Sequence, residues 1–276
     1  MRKGQLRYML AGNFYRLAWV EYGDPAAPVV VCMHGLTRNG RDFDPLAEAL
    51  SDRFRVICPD LPGRGRSDWL PDATLYNPLS YALAMSHLLA RLDTEVSWVG
   101  TSLGGTVGML AAAAADTPLH RLVLNDIGPF IPAAALVRIR DYIGGVPEFA
   151  DLAALEAHLR RIHAPFGSLT DAQWQHLAAH SARTLANGRL ALHYDPAIAI
   201  PFLAVEPTAV SMWATWEQIH IPVLAIRGAS SDLLEQNTVD RMVSAGAKLH
   251  TVADAGHAPA LMDAPTIAVI RDFLVS

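Results

Sequence analysis

Residues 96–105 join an apolar run to a glycine-rich turn, which leads directly into an alanine-rich stretch. The turn has the form Gly-x-Ser-x-Gly, with Gly100, Ser102 and Gly104 at the fixed positions. A serine at a sharp strand-to-helix turn has a strained backbone, and the flanking glycines remove side chains that would collide there. Its hydroxyl is exposed at a helix N-terminus, where N–H groups and the helix dipole favour an anionic intermediate. The segment predicts a strand, a nucleophilic Ser102 and a helix.

On both sides of this segment, short β-branched runs alternate with longer amphipathic or alanine-rich stretches. This alternation is typical of βαβ units and a mainly parallel, doubly wound sheet of the α/β class. We predict strands at 29–34, 55–60, 95–100, 121–126, 222–227 and 248–252, and helices at 42–50, 78–92, 102–115 and 265–274. The first 22 residues are expected to add a hairpin at the sheet edge. With 276 residues, 51% of them hydrophobic, the chain has enough apolar sequence for a large core.

The alternating pattern stops between about residues 128 and 221, where helical signals replace it. An apolar stripe predicts a helix over 151–162. Thr170 and Gln173 form a capping box that begins another helix, and Asn187 and Gly188 are expected to end it. We therefore predict a core domain at 1–127 and 222–276, interrupted by a helical cap at 128–221.

Charge and composition exclude several function classes. A formal net charge of -5 without a long basic run gives no electrostatic basis for binding nucleic acid or an anionic membrane. The N-terminal residues lack an apolar run typical of a signal peptide or membrane span, which favours the cytoplasm. The only cysteines, Cys32 and Cys58, lie in apolar strand sequences and are expected to be free, buried thiols. A small-molecule acyl substrate is expected, and a homodimer is left open.

Several motifs occur in the same order as in a known family. His34-Gly35-Leu36 follows the first long strand, and residues 60–67 follow the next with the sequence Asp-Leu-Pro-Gly-Arg-Gly-Arg-Ser. The Ser102 turn, an acid-bearing loop and a histidine loop come after them. In this order the chain resembles the α/β-hydrolase family over nearly its whole length. The resemblance implies the α/β-hydrolase fold, a helical cap over the active site and a Ser-His-Asp triad without metal or cofactor.

The resemblance places the catalytic base at His257, in the loop that follows the last predicted strand. For the acid we choose Asp232, after the penultimate strand, because a carboxylate there could reach the imidazole and fix its tautomer. Asp126 is the rival, since it ends an earlier strand and some family members have their acid there. The alternative for Asp126 is a loop-capping role.

The oxyanion hole is expected to use the backbone N–H groups of Leu36 and Leu103. His34 is expected to brace the turn that contains Leu36. Arg38 is either a solvated loop residue or, for a substrate with a carboxylate, a guanidinium that binds it at two points.

The cap aromatics are candidates for an acyl or aryl pocket, with packing of the cap onto the core as the alternative for each. They are Phe130, Trp174, Trp213 and Trp216. His176 and His180 are four residues apart on a predicted helix without a third ligand in a known pattern, so we expect a polar helix face and no metal.

These features predict a serine hydrolase that cleaves carboxylic esters through an acyl-enzyme. Serine as nucleophile argues against the dehalogenases and epoxide hydrolases of this fold, which use aspartate. Lactones, thioesters, amides and carbon–carbon bonds of ring-cleavage products stay open as targets. A ligand-binding protein that keeps the triad but has negligible turnover is the alternative from a different class.

Overall fold

The computed structural model describes residues 1–143, 145 and 147–276. Over these residues the strands are β1 (Arg2–Leu10), β2 (Asn13–Tyr22), β3 (Val29–Met33), β4 (Arg55–Pro59), β5 (Val96–Thr101), β6 (Leu119–Asn125), β7 (Phe130–Ile131), β8 (Glu148–Phe149), β9 (Ala182–Thr184), β10 (Leu190–Leu192), β11 (Val210–Ser211), β12 (Val223–Gly228) and β13 (Lys248–Val252). The α-helices are α1 (Asp44–Leu50), α2 (Pro78–Leu92), α3 (Leu103–Ala112), α4 (Ala133–Ile143), α5 (Leu152–Ile162), α6 (Asp171–Ser181), α7 (Ile200–Leu203), α8 (Trp213–Trp216), α9 (Gln236–Ser244) and α10 (Ala264–Val275). Short 3-10 helices occupy Gly40–Phe43, Ala73–Leu75, Ala164–Phe166 and Pro196–Ala199.

The central sheet has the strand order β1-β2-β4-β3-β5-β6-β12-β13. From β4 to β13 all neighbouring strands are parallel, whereas β2 is antiparallel to β4 and β1 is its hairpin partner at the edge. The predicted fold class and the N-terminal hairpin are confirmed. Because parallel strands end at the same edge, the loops after β5, β6, β12 and β13 emerge together, where α/β proteins bind their ligands.

The sheet is covered on both faces, as its uninterrupted apolar strands predict. In β3, Val31 packs into an apolar cluster that includes Met85 of α2. Its neighbour Val30 points to the other face, into a cluster with Leu46 of α1 and Phe273 of α10. Fully burying such a side chain contributes about 1.5–3 kcal/mol. The apolar packing on the two faces of the sheet therefore stabilises the strands from which the loops at the carboxyl edge extend. Both cysteines are free and buried in β3 and β4, as predicted.

The segment 128–221 has an apolar cluster that includes Phe149, Leu155 and Trp174. Its helix α5 agrees with the prediction, and the Asp151 carboxylate caps it by accepting from the N–H of Ala154. Besides helices, the segment contains two small sheets. One pairs β7 with β11 near the two ends of the segment, and the other has the order β8-β10-β9.

The capping box of Thr170 and Gln173 is present at the start of α6. The predicted end of this helix at Asn187 and Gly188 is wrong. Helix α6 ends at Ser181, because the next residues form β9 and pair with β10. Gly188 lies instead in the turn between these strands, with a φ of 81° that suits glycine. Among the described residues, no helix is long and apolar enough to cross a membrane.

Candidate active site

Ser102 lies between β5 and α3 with φ 49° and ψ −114°. A non-glycine residue in such a conformation costs about 1–3 kcal/mol and persists only where the surroundings enforce it. The surroundings here require glycine. A Cβ atom on Gly100 would collide with the carbonyl oxygen of Gly104, and one on Gly104 would collide with that of Met33. The Gly-x-Ser-x-Gly pattern is thus a steric requirement of a turn that presents the Ser102 hydroxyl at the sheet edge.

The Ser102 hydroxyl is part of a continuous hydrogen-bonded chain. Its Oγ lies 3.1 Å from Nε2 of His257, and Nδ1 of His257 lies 2.7 Å from Oδ2 of Asp126. Asp126 is fully buried after β6 and accepts two further hydrogen bonds, from the N–H of Gly228 and the hydroxyl of Ser231. These donors hold the carboxylate in one orientation, which fixes the imidazole with Nε2 directed at the serine.

The expectation that Asp232 orients His257 is corrected by this geometry. The Asp232 side chain is 52% exposed and its carboxylate pairs with Arg138, at 2.5 and 2.9 Å. The end of β12 and the loop after it contribute in another way, since Gly228, the last residue of the strand, and Ser231, in the loop, donate hydrogen bonds to Asp126. The rival candidate, Asp126, therefore occupies the position next to His257.

Leu36 and Leu103 both border the cavity above Ser102. Among the described residues, neither backbone N–H has a hydrogen-bond acceptor, so both are free to donate to a developing oxyanion. Leu103 is the first residue of α3, where the helix dipole adds to this effect.

His34 braces the Leu36 turn, as expected from the sequence. Its Nδ1 donates to the carbonyl of Gly35, and its Nε2 accepts from the N–H of Leu61. Burial lowers the pKa of His34 to about 3, so the ring is neutral and this pattern of one donor and one acceptor is stable near neutral pH.

Sequence reasoning missed Arg64 as a contributor to this site. Its side chain is fully buried, and Nε donates to the carbonyl of Leu36 at 2.9 Å. Nη1 donates to the carbonyl of Pro62 and to the hydroxyl of Tyr81. The signal available in the sequence was an arginine between two glycines of the 60–67 motif, which does not reveal its burial.

A cavity of about 620 Å³ opens over Ser102 and His257. Arg38 borders it, as the carboxylate hypothesis requires, with only 5% of the residue exposed. Most of the lining is apolar, and segment 128–221 supplies much of it, including Ile131, Leu136, Ile139, Phe166, Phe202 and Met212.

The predicted pocket aromatics do not line this cavity. Phe130 pairs with Ser211 at the β7–β11 ladder, while its neighbour Ile131 reaches the cavity. Trp216 is buried in the core cluster and contacts Trp213 edge to face. Trp213 in turn lies under the guanidinium of Arg241, 3.7 Å from the ring centroid. Trp174 belongs to the cluster within segment 128–221. Packing, the alternative considered for each, describes their positions.

One group of side chains has the donor set of a metal site. Donor atoms of Asp44, His176 and His180 lie within 4.8 Å of one another. The guanidinium of Arg41 already pairs with Asp44 and lies 3.4 Å from Nδ1 of His180. Arg41 thus supplies the positive charge at this cluster, where a metal ion would have to displace it. The polar helix face that the sequence predicts at these two histidines lies against Arg41, since Nε2 of His176 is 2.9 Å from the Arg41 carbonyl oxygen.

The chain belongs to the alpha/beta hydrolase family, whose model matches residues 30–271. A 3-hydroxybutyrate-oligomer hydrolase of Cupriavidus necator is 42% identical over 284 aligned residues, covering 99% of this chain and 97% of the relative. A 2-(acetamidomethylene)succinate hydrolase of Mesorhizobium japonicum is 34% identical over 136 residues, which are 49% of this chain and 48% of the relative. The crystal structure of a hydrolase from Rickettsia typhi, described as putative, has a TM-score of 0.93 at 32% identity and covers 100% of this chain and 99% of its own.

Proposed function

We propose that this protein is a serine hydrolase of carboxylic esters, with Ser102, His257 and Asp126 as its triad. The observation that carries the proposal is the hydrogen-bonded chain from Ser102 through His257 to the buried Asp126. The strained turn at Ser102 and the free N–H groups of Leu36 and Leu103 support it, because acyl transfer needs an exposed nucleophile beside oxyanion donors.

In the proposed cycle, His257 Nε2 takes the proton of Ser102 as Oγ forms a bond to the ester carbonyl carbon. The carbonyl oxygen becomes an oxyanion that accepts from the N–H groups of Leu36 and Leu103. The bond from carbon to the leaving oxygen breaks, and His257 gives its proton to the departing alcohol. In the second half, water attacks the carbonyl carbon of the acyl-enzyme and gives a proton to His257. The bond from that carbon to Ser102 Oγ breaks, and His257 returns the proton to Oγ, which releases the acid and free Ser102. The Asp126 carboxylate accepts from Nδ1 of His257 and stabilises the imidazolium in both halves.

For the substrate we propose short oligomers of hydroxy acids. The Cupriavidus necator relative, matched over nearly its full length, is a hydrolase of such oligomers by name. The cavity supports this assignment in two ways. Its volume of about 620 Å³ is within the range of about 300–1,000 Å³ for pockets that enclose ligands of drug size. Its mainly apolar walls suit a chain with methyl branches and without hydrogen-bond donors along its length.

We further propose that segment 128–221 serves as a cap that selects the substrate. It supplies many of the apolar residues around the cavity, whereas Ser102, His257 and Asp126 all lie outside it. The pairing of β7 with β11 joins the two ends of the segment and so fixes where it leaves and re-enters the central fold.

The test combines covalent labelling with turnover. A fluorophosphonate should label the protein stoichiometrically at Ser102, as located by mass spectrometry, and the dimer and trimer of 3-hydroxybutyrate should be hydrolysed. Ser102→Ala should abolish both. Labelling without turnover of these oligomers or of p-nitrophenyl esters would contradict the proposal and favour a binding protein. Turnover of lactones or carbon–carbon substrates in place of all open-chain esters would assign the same triad to a different bond.

A further inference from the structure

A second cavity, of about 460 Å³, adjoins the active-site cavity. The two share the lining residues Thr37, Arg38, Ile162 and His163. Thr37 and Arg38 directly follow Leu36, so the second cavity begins next to the proposed oxyanion donor in the chain. Because the two cavities share these walls, a substrate with its ester carbonyl at Ser102 can extend from the first cavity into the second.

The second cavity is lined by two arginines and two histidines, Arg38, Arg161, His158 and His163, and none of its described lining residues is acidic. Thr37 and Tyr194 are its other polar lining residues. Arg161 is exposed, and no carboxylate in the described part of the chain pairs with it. Its Nη2 lies 3.1 Å from Nδ1 of His158. An unbalanced guanidinium beside a cavity attracts an anion.

Arg38 and His163 are two further hydrogen-bond donors that line the second cavity. Nε and Nη2 of Arg38 each donate to Asp42 at 2.7 Å, which fixes the guanidinium, while Nη1 has no acceptor within the described chain. The His163 ring is 8% exposed, stacks on Phe166 at 4.4 Å and has no hydrogen-bond partner among the described residues. Burial, followed by the charge of Arg38, lowers the pKa of His163 well below its usual range. The ring is therefore neutral and offers one N–H donor.

We propose that Arg38, Arg161, His158 and His163 form a carboxylate subsite for the alcohol side of the substrate. This inference rests on the proposed function. In an oligomer of hydroxy acids, the carboxylate is at the opposite end from the free hydroxyl. When an internal ester carbonyl reacts with Ser102, the carboxylate therefore belongs to the departing alcohol fragment. The subsite anchors that fragment, and the enzyme shortens oligomers from their carboxyl end.

The experiment compares the 3-hydroxybutyrate dimer with its methyl ester, which lacks the charge but keeps the scissile bond. Rates are divided by active sites titrated with a fluorophosphonate, so that loss of folded enzyme does not enter. Initial products are analysed by chromatography, which distinguishes cleavage of the internal ester from loss of methanol. For wild type we expect kcat/KM for the internal ester to be at least about tenfold higher with the free acid, as a charge-assisted hydrogen bond supports.

Arg161→Gln and His163→Phe should each lower that ratio about tenfold, mainly through KM of the free acid. His163→Phe retains an aromatic ring against Phe166. Arg160→Gln is the matched control, because Arg160 pairs with Glu156 and Asp171 and does not line the cavity. It should leave the ratio unchanged.

Equal kcat/KM for acid and methyl ester in wild type, or a ratio that neither variant lowers, would overturn the subsite while leaving the ester hydrolase intact. Absence of fluorophosphonate labelling and of p-nitrophenyl butyrate hydrolysis would instead overturn the proposed function, and with it the subsite.

Discussion

The carboxyl edge of the central sheet and segment 128–221 border the same cavity with different kinds of groups. The sheet edge contributes groups that the backbone fixes: the strained Ser102, the free N–H groups of Leu36 and Leu103, and an Asp126 carboxylate held by the N–H of Gly228. Segment 128–221 contributes mainly apolar side chains, whose positions depend on how its short elements pack. The first kind of group suits chemistry, which requires fixed geometry, and the second suits selectivity, which requires shape.

The largest expected effect is at the nucleophile. Ser102→Ala should lower kcat for p-nitrophenyl butyrate by about four to six orders of magnitude, since loss of a triad serine removes covalent catalysis. Its thermal midpoint should not fall, because the substitution removes only a hydroxyl and none of the apolar packing. Steady-state kinetics and thermal unfolding check both parts. Retention of more than about a tenth of wild-type kcat would be incompatible with Ser102 as nucleophile.

Replacing each of the two candidate acids with asparagine, in separate variants, tests the part of the site that the sheet edge contributes. Asp126→Asn should lower kcat by about three to four orders of magnitude, because an amide can stabilise the wrong histidine tautomer and cannot stabilise the imidazolium. The same exchange in the triad of a well-studied serine protease costs about ten-thousandfold in kcat. The introduced amide also loses an acceptor for Gly228 or Ser231, so the thermal midpoint should fall as well.

Asp232→Asn is the matched control for that experiment. Its carboxylate is half exposed and its ion pair with Arg138 is worth at most about 1 kcal/mol, so kcat should change less than about threefold. The two variants are measured side by side from about pH 6 to about pH 9, because hydroxide can partly replace a lost acid. A greater loss in Asp232→Asn than in Asp126→Asn would reverse the assignment.

The acid shows where sequence reasoning stopped. Local sequence patterns were enough to predict the parallel sheet, the Ser102 turn and the His257 loop. At the Ser102 turn, for example, the steric contacts accept only glycine, so the glycines themselves reveal the turn. Asp126 and Asp232 both follow parallel strands that neighbour each other, and either loop could reach an imidazole. The choice depends on which carboxylate the loops bury, and that is a contact between residues 105 positions apart, Ser231 and Asp126.

The wrongly predicted pocket aromatics have a related cause. Trp213 and Trp216 lie in α8, a helix of four residues that is too short to show an apolar stripe. Without a stripe, the sequence does not reveal which side chains of α8 face the cavity. Their orientation depends on tertiary packing, which the sequence pattern does not show. In the two-residue strand β7, a shift of one position exchanges the faces, so Ile131 lines the cavity while Phe130 does not.

A smaller effect is expected where segment 128–221 contacts the substrate. Phe202 lines the cavity, so Phe202→Ala enlarges it. The ratio of kcat/KM for p-nitrophenyl octanoate to kcat/KM for p-nitrophenyl acetate should rise by about tenfold. Trp213→Ala is the matched control, because this ring contacts Trp216 and Arg241 and does not line the cavity. Its ratio should stay within about twofold of wild type. A larger change in Trp213→Ala than in Phe202→Ala would argue against the proposal that the cavity-lining residues of segment 128–221 select the substrate.

The last prediction concerns stability at the sheet edge in acid, and it involves no loss of catalysis at neutral pH. The folded-state pKa of His34, about 3, is below the unfolded value of about 6.5, because burial disfavours the charged ring. The unfolded chain therefore binds one more proton than the folded chain between these values. The stability that neutral His34 contributes is present above about pH 6.5 and is lost as the pH falls towards about 3, at up to about 1.4 kcal/mol per pH unit.

Urea unfolding at about pH 7, 6, 5 and 4 tests this prediction. The free energy of unfolding should decline less steeply with falling pH in His34→Gln than in wild type, whatever the stability of the variant at neutral pH. His220→Gln, at an exposed position, should follow the wild-type slope. Parallel slopes for all three proteins would mean that His34 takes up its proton as readily in the folded chain as in the unfolded chain, and the neutral brace assigned to the Leu36 turn would be wrong.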